Sequence, residues 1–337
     1  MPVKALAAAG ICLAMLGAAA AWLTLGREPS PSCNGLAQDT RVRTSMGAAI
    51  QPGMSCAALG EAIVKATAGS EPGRHTRAQA QTRKDVLFAL ARVQPKNFDL
   101  DPVLRVPLAT AVADYGPDLH EMLAGLDSEY VLKAGHDMPP WEAGGTYHLS
   151  VYHTVFRATL RAVAEDSRAY ALLRLTETRT AAERLAAVPA GATGSELSLQ
   201  PTKNARAFGI LDAVAVAVAV AVAVAVAVAV AVAVAVAVAD AAKSQDAPEA
   251  RIWHATVFDH LLNERADQAD QDDHLTATWL QELKDTPGAA RAERLRTQGV
   301  DMARTWAQAR GMDEQTRKDL LPEVEISALC AYREAKP

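Results

Sequence analysis

The chain has 337 residues and a net charge of −5; half of its residues are hydrophobic and only 5% are aromatic. That length allows one large domain or two ordinary ones with a sizeable core. Charges of both signs are interspersed, so no basic stripe points to nucleic acid and no acidic block to a solvated tail. An apolar fraction dominated by Ala and Val favours helices joined through small residues over a β-sandwich.

The N-terminus carries the strongest signal. After Met1-Pro2-Val3-Lys4, the 22 residues from Ala5 to Gly26 hold no charge, and Arg27 and Glu28 close the run. As a helix they span about 33 Å, enough for a bilayer core of about 30 Å. Trp22-Leu23-Thr24-Leu25 prolongs the run to the length of an uncleaved anchor, with Trp suited to the interface. Ala19-Ala20-Ala21 offers instead the small residues of a cleavable signal. Residues 1–26 are therefore expected to form a signal-anchor helix in the cell membrane, with secretion after cleavage as the alternative. Lys4, the one basic residue before the helix, favours a body outside the cytoplasm.

Export makes disulfides permissible. Cys12 lies inside the apolar run, which leaves Cys33, Cys56 and Cys330. Cys33 and Cys56 bracket a loop and are the preferred pair, worth about 3 kcal/mol in the chain-entropy view; three free buried thiols are the alternative. No Cys-x-x-Cys occurs, so zinc or redox chemistry of that type is not indicated.

Residues 27–54 read as a linker, and a helical domain follows over residues 55–189. Ser55 caps a helix from Cys56 to Ala68, and breaks from Gly69 to Gly73 precede another from Thr76 to Val93. Val86, Leu87, Leu90 and Val93 form its apolar stripe. Asp101 is an N-cap with Pro102 in the first helical position, and Leu104, Leu108 and Val112 face inward. Gly116-Pro117 opens a short helix carrying Leu119, Met122 and Leu123. The segment Lys133 to Gly145 holds two Pro and three Gly and reads as irregular. Functional surfaces concentrate on such loops, so His136, Asp137, Trp141 and Glu142 are the candidate binding residues. Ser150 heads a helix carrying Val155, Leu160 and Val163, and Asp166-Ser167 starts another with Leu172, Leu173, Leu175 and Leu185. Residues 190–212 read as a second linker on their Pro, Gly and Ser content.

From Ala213 to Ala239 the chain alternates Ala and Val without interruption for 27 residues. Alternation is the strand period, yet one strand of this length would run about 90 Å, several times the usual length. A helix would run about 40 Å. Its valines would surround the cylinder and leave no amphipathic face, so it belongs inside protein or lipid. The repetition points to a dipeptide expansion with a helix as its physical form, either as a second membrane span or as a soluble helix. A last helical domain occupies residues 240–337. In it Asp273 caps a helix from His274, Ala289 to Arg310 forms one charged helix, and Pro322 interrupts the final one from Asp313. The fold class expected is all-α: an N-terminal transmembrane or signal helix, a multi-helix bundle and a long Ala-Val helix.

No catalytic, cofactor-binding or metal-binding residue is nominated, and no cofactor is expected. His148 and His153 are five apart, and His254 and His260 six apart, so neither pair shares a helical face as metal ligands at i,i+4 would. The acidic run Asp267 to His274 lacks the central Gly and closing Glu of a calcium loop. No Gly-rich phosphate loop or G-x-S-x-G motif occurs.

Four segments carry a resemblance: Asp99 to Leu108, Tyr115 to Asp118, Gly144 to Ser150, and Tyr170 to Leu173. Over residues 80–190 the chain resembles the helical region that follows the WXG-type hairpin in large actinobacterial proteins. The resemblance implies a helical fold and a cell-envelope setting, and no residue-level chemistry. A membrane segment stands here where that hairpin would be. The function expected is a membrane-tethered, extracytoplasmic helical module that binds a protein or envelope component. An exported hydrolase with its site near residues 133–147, and a two-span membrane protein using the repeat structurally, are the alternatives.

Overall fold

The computed structural model describes residues 31–71, 73–93, 100–231, 248–263 and 274–336. The apolar segment Ala5–Gly26, residues 232–239 of the repeat and the acidic run from Asp267 to Asp273 lie outside the described residues. So does the cap expected at Asp273.

The described chain is predominantly helical, and short-range capping chemistry sets many of its helix starts. It opens with α1 (Pro31–Gln38) and α2 (Thr40–Met46). Asp39 accepts hydrogen bonds from the amides of Arg41 and Val42, satisfying donors that the first turn of α2 leaves free. Ser55 does the same for α3 (Cys56–Thr67) through the Ala58 amide. After α4 (Arg77–Val93), Asp101 caps α5 (Pro102–Ala113). Helices α6 (Gly116–Ala124) and α7 (Ser128–Leu132) follow. Strands β1 (Trp141–Ala143) and β2 (Thr146–His148) then form an antiparallel hairpin. Helix α8 (His153–Ala164) begins after Tyr152 with no side-chain cap, so Ser150 does not play the role expected of it. Asp166 caps α9 (Ser167–Ala186).

The long helix α10 (Gly194–Ala231) takes in most of the stretch 190–212, where a linker was expected, and the start of the repeat. Lys203, Asn204 and Phe208 are buried there, and the Asn204 amide donates to the carbonyl of Ala181. A composition rich in Ser and Thr does not reveal such long-range partners. The stretch 27–54, also expected as linker, contains α1 and α2 and buries Leu36, Val42 and Met46. The chain closes with α11 (Pro248–Asn263), α12 (His274–Asp285), α13 (Gly288–Arg296), α14 (Gln298–Ala309) and α15 (Glu314–Ala335). Thr297 divides the single helix expected from Ala289 to Arg310, whereas α15 runs on through Pro322.

One apolar core extends from Cys33 to Ala335, and α10 is its axis. Helices α6, α8, α9, α11, α14 and α15 all pack on α10. Gly209 lets α15 come close: a Cβ there would lie 2.3 Å from the Ala328 carbonyl oxygen. The described part of the repeat, Ala213 to Ala231, is helical, and Ala213, Val214, Val218 and Ala219 are buried. The span Gly194–Ala221 is long and apolar enough to cross a membrane, and 72% of its most apolar window is buried inside the bundle. Protein covers most of its middle, from Pro201 to Ala219, as a helix with apolar residues on every side requires.

Candidate functional site

The irregular segment singled out by its Pro and Gly content contains a hairpin. Trp141 pairs with His148, Glu142 with Tyr147, and Ala143 with Thr146. Gly144 (φ 58°) and Gly145 (φ 77°) turn the chain in two residues. Positive φ at both central positions is the type I′ geometry, which matches the right-handed twist of the strands and suits glycine.

Two sides of the protein hold this hairpin. On one, the His75 amide donates to Thr146 Oγ1 (2.8 Å) and the Tyr147 amide to the His75 carbonyl (3.0 Å). The His75 ring stacks on Tyr115 at 3.4 Å, and its Nε2 lies 2.9 Å from Asp114 Oδ2. On the other side, Asp118 of α6 receives three donors. His148 Nδ1 lies 2.6 Å from Oδ1, the Tyr130 hydroxyl donates to the same oxygen, and the Leu149 amide donates to Oδ2 at 3.1 Å. His148 Nε2 faces the Ala143 carbonyl at 3.3 Å. Both ring nitrogens thus face acceptors, which favours the imidazolium. The hydrogen bond to Asp118 accordingly pushes the His148 pKa up, against burial. Burial, with the Asp118 charge next to it, raises the Tyr130 hydroxyl well out of its usual range.

Helix α7 is fixed from below. Lys84, fully buried, donates to the Lys133 carbonyl at 2.9 Å, and burial lowers its ammonium pKa to about 8. The Lys133 side chain turns outward, with Nζ 4.6 Å from the Trp141 ring centre and 2.6 Å from Glu129 Oε1. The Tyr130 ring meets Trp141 edge-on at 4.9 Å.

The four candidate binding residues fall into two groups. Trp141 joins Tyr130, Lys133 and His148, while Glu142 beside it is exposed. His136 Nδ1 lies 2.9 Å from Asp137 Oδ1, its ring meets Phe88 edge-on at 5.1 Å, and exposed Asp137 reaches Arg41 at 3.7 Å. Asp118, Tyr130, Lys133 and His148 were not among the candidates. The Gly144-Gly145 pair between two short apolar-polar runs was the available signal for the hairpin. Asp118, thirty residues before His148, carried none.

Around this corner Val131, Leu132, Met138 and Tyr152 are exposed, Leu132 to 73%. Met138 and Tyr152 both border Gly135. His148 has no side-chain hydroxyl or thiol on Nε2, because the Ala143 carbonyl is there instead. On its other nitrogen, His148 Nδ1 also lies 3.1 Å from the Tyr130 hydroxyl. The corner presents a rigid aromatic and apolar surface.

Cys33 and Cys56 are joined by a disulfide with a Cα separation of 5.6 Å, tying α1 to the first turn of α3. Cys330, on α15, is free and exposed. One group of potential metal ligands among the described residues, Cys33, Cys56 and Asp101, includes both disulfide sulfurs. Thiolate ligation there is incompatible with that bond. No protein-family model matches the chain, and neither a curated protein nor a solved structure matches it.

Proposed function

We propose that this chain is a membrane-tethered, extracytoplasmic helical protein that binds a protein partner through the corner formed by α7 and the hairpin. The observation that carries the reading is the exposure of Val131, Leu132, Met138 and Tyr152 beside a scaffold pinned by Asp118, His75 and Lys84. Exposed apolar clusters on fixed scaffolds mark interaction surfaces, and a fixed scaffold lowers the ordering cost of binding. Trp141 under Lys133 adds an aromatic anchor of the kind that dominates interface energetics.

Two further observations support the location. The uncharged run from Ala5 to Gly26 has the length of a span. The Cys33–Cys56 bond suits an oxidising compartment. The burial of α10 inside the bundle favours one anchor over two spans, and it makes the start of the repeat, through Ala219, a core element.

The test is a photo-crosslinking amino acid placed at Leu132 in intact cells, with Ile326 of α15, also exposed, as the control site. The expected result is a membrane-sedimenting adduct of discrete mass from Leu132 and none from Ile326. Equal labelling from both sites, or a chain found wholly in the cytosolic fraction, would overturn the proposal.

A further inference from the structure

A second feature stands apart from the hairpin corner. Between α10, α11 and α13 lies a cleft of about 740 Å³ whose floor includes Tyr170 and Asp212. That volume is within the range of small-molecule sites, about 300–1,000 Å³.

The floor is built and neutralised. Arg174, fully buried, places Nη1 2.5 Å from Asp212 Oδ1 and 2.9 Å from the Tyr170 hydroxyl. Its Nε donates to Gln298 Oε1 at 2.8 Å and its Nη2 to the Leu295 carbonyl at 2.5 Å. Asp212 therefore brings no uncompensated negative charge to the cleft.

The walls carry guanidinium groups from two helices: Arg251 on α11, and Arg291 and Arg296 on α13. Against these three stand two carboxylates, Asp259 and Glu293. Glu293 pairs with Arg296. Arg291 donates to the backbone carbonyl of Thr286 and lies over the Phe258 ring at 5.9 Å. Arg251 has no ion-pair partner among the described residues. Among the described lining residues other than the paired Asp212, three guanidinium groups thus face two carboxylates, an excess of one positive charge.

His254 lines the same cleft as these guanidinium groups. Its Nδ1 is buried and has no hydrogen-bond partner. Burial first, and the charge of Arg296 second, lower its pKa, so the ring is neutral at pH 7. A buried polar atom left unpaired costs free energy, and an acceptor brought to it would recover part of that cost. Val216 and Phe258 offer apolar surface beside these groups.

We propose that this cleft binds a small organic acid, with its anionic group between Arg251, Arg296 and His254 and its apolar body on Val216 and Phe258. The site takes a monoanion of modest size. A carboxylate fits the fork of a guanidinium and accepts from an imidazole N–H. The inference is independent of the role assigned to the hairpin corner, because the two surfaces share no residue.

The experiment uses the full-length chain in lipid nanodiscs, titrated with benzoate, with octanoate, and with benzyl alcohol as the uncharged counterpart. The readouts are calorimetry and the imidazole NMR signal of His254, assigned by its loss in His254→Gln. Benzoate or octanoate is expected to bind, benzyl alcohol at least about tenfold more weakly, and the His254 titration midpoint to rise when the acid is present. Whichever acid binds more tightly distinguishes an aromatic from an aliphatic natural ligand. Arg251→Gln, at an exposed position, is expected to weaken the acid about tenfold, the scale of one charge-assisted hydrogen bond. The proposal is overturned if neither acid binds, if the alcohol binds equally well, or if Arg251→Gln leaves affinity and the His254 midpoint unchanged.

Discussion

Two pairs of the same chemical kind flank helix α6, and they live in different surroundings. Asp118 meets His148 at the hairpin corner, where the histidine side chain is 18% exposed. Two residues along the same helix, His120 meets Glu177 of α9 at 2.8 Å, with both side chains fully buried. His120 Nε2 and Glu177 Oε2 have no partner there, whereas the Asp118 carboxylate is shared among three donors. Solvent touches the corner pair, whereas the interior pair meets water only when the bundle opens. Surroundings, more than residue type, decide which pair borders solvent and which is part of the frame.

The sharpest way to break that comparison is to remove a cation from each region. Arg174 on α9 has four hydrogen bonds and no solvent exposure. Arg174→Met should cost about 3–5 kcal/mol, because Asp212 is left charged and buried without a partner. Lys133→Met at the corner removes only an exposed pair with Glu129 and a contact with Trp141, and should cost under about 1 kcal/mol. Urea unfolding of the two variants measures the difference; equal losses would mean that the α9 network is not a frame.

Reduction of the disulfide comes next in size. A bond across 23 residues restricts the unfolded chain, so its reduction should lower stability by about 3 kcal/mol. The native contacts of both pairs should persist, because the effect acts mainly on the unfolded state. Unfolding with and without reductant gives the loss, and histidine NMR under native conditions reports whether the two pairs survive.

The interior pair itself is tested by substitution on both sides. Glu177→Leu should cost about 2–3 kcal/mol by leaving the His120 ring buried and unpaired. Adding His120→Leu should restore at least half of that loss, since replacing both partners with apolar groups removes the unpaired donor. A double variant no more stable than the single would show that the pair contributes through packing alone.

What was legible in the sequence divides along the same line. Ser55, Asp101 and Asp166 signal helix starts through partners two or three residues away, and all three caps form. The repeat was legible as a helix because only its length, set against the ordinary length of strands, had to be judged. Contacts that close over long separations were not legible. Helix α9 carries Arg174, Glu177 and Thr178 in its interior turns and has no clean apolar face, because its polar groups find partners on α6, α10 and α14. Those partners lie 57, 38 and about 120 residues away. The corner site was hidden for the same reason: the spacing of the histidines carries no sign of it, because the partner of His148 on β2 is a carboxylate on α6, 30 residues away.

The pH dependence of the hairpin is the most informative prediction about the corner. His148 has its pKa raised in the folded protein, chiefly by Asp118. Its contribution to stability is therefore fully present below the unfolded value, near 6.5, and is lost as pH rises through the folded value. Loss of the charge weakens the bond to Asp118 by about 1 kcal/mol. Global unfolding would blur this, because burial lowers the pKa of His153 and of His254, and both therefore add stability as pH rises. Hydrogen exchange at the Tyr147 and Leu149 amides isolates the hairpin, since those two amides bond directly to the His75 carbonyl and to Asp118. After correction for the intrinsic rate, their protection should fall severalfold above neutral pH, and His148→Gln should remove that dependence. Protection that stays level with pH in the unaltered chain would mean that the hairpin is held by His75 and its backbone bonds alone, and the corner would then be as fixed as the interior.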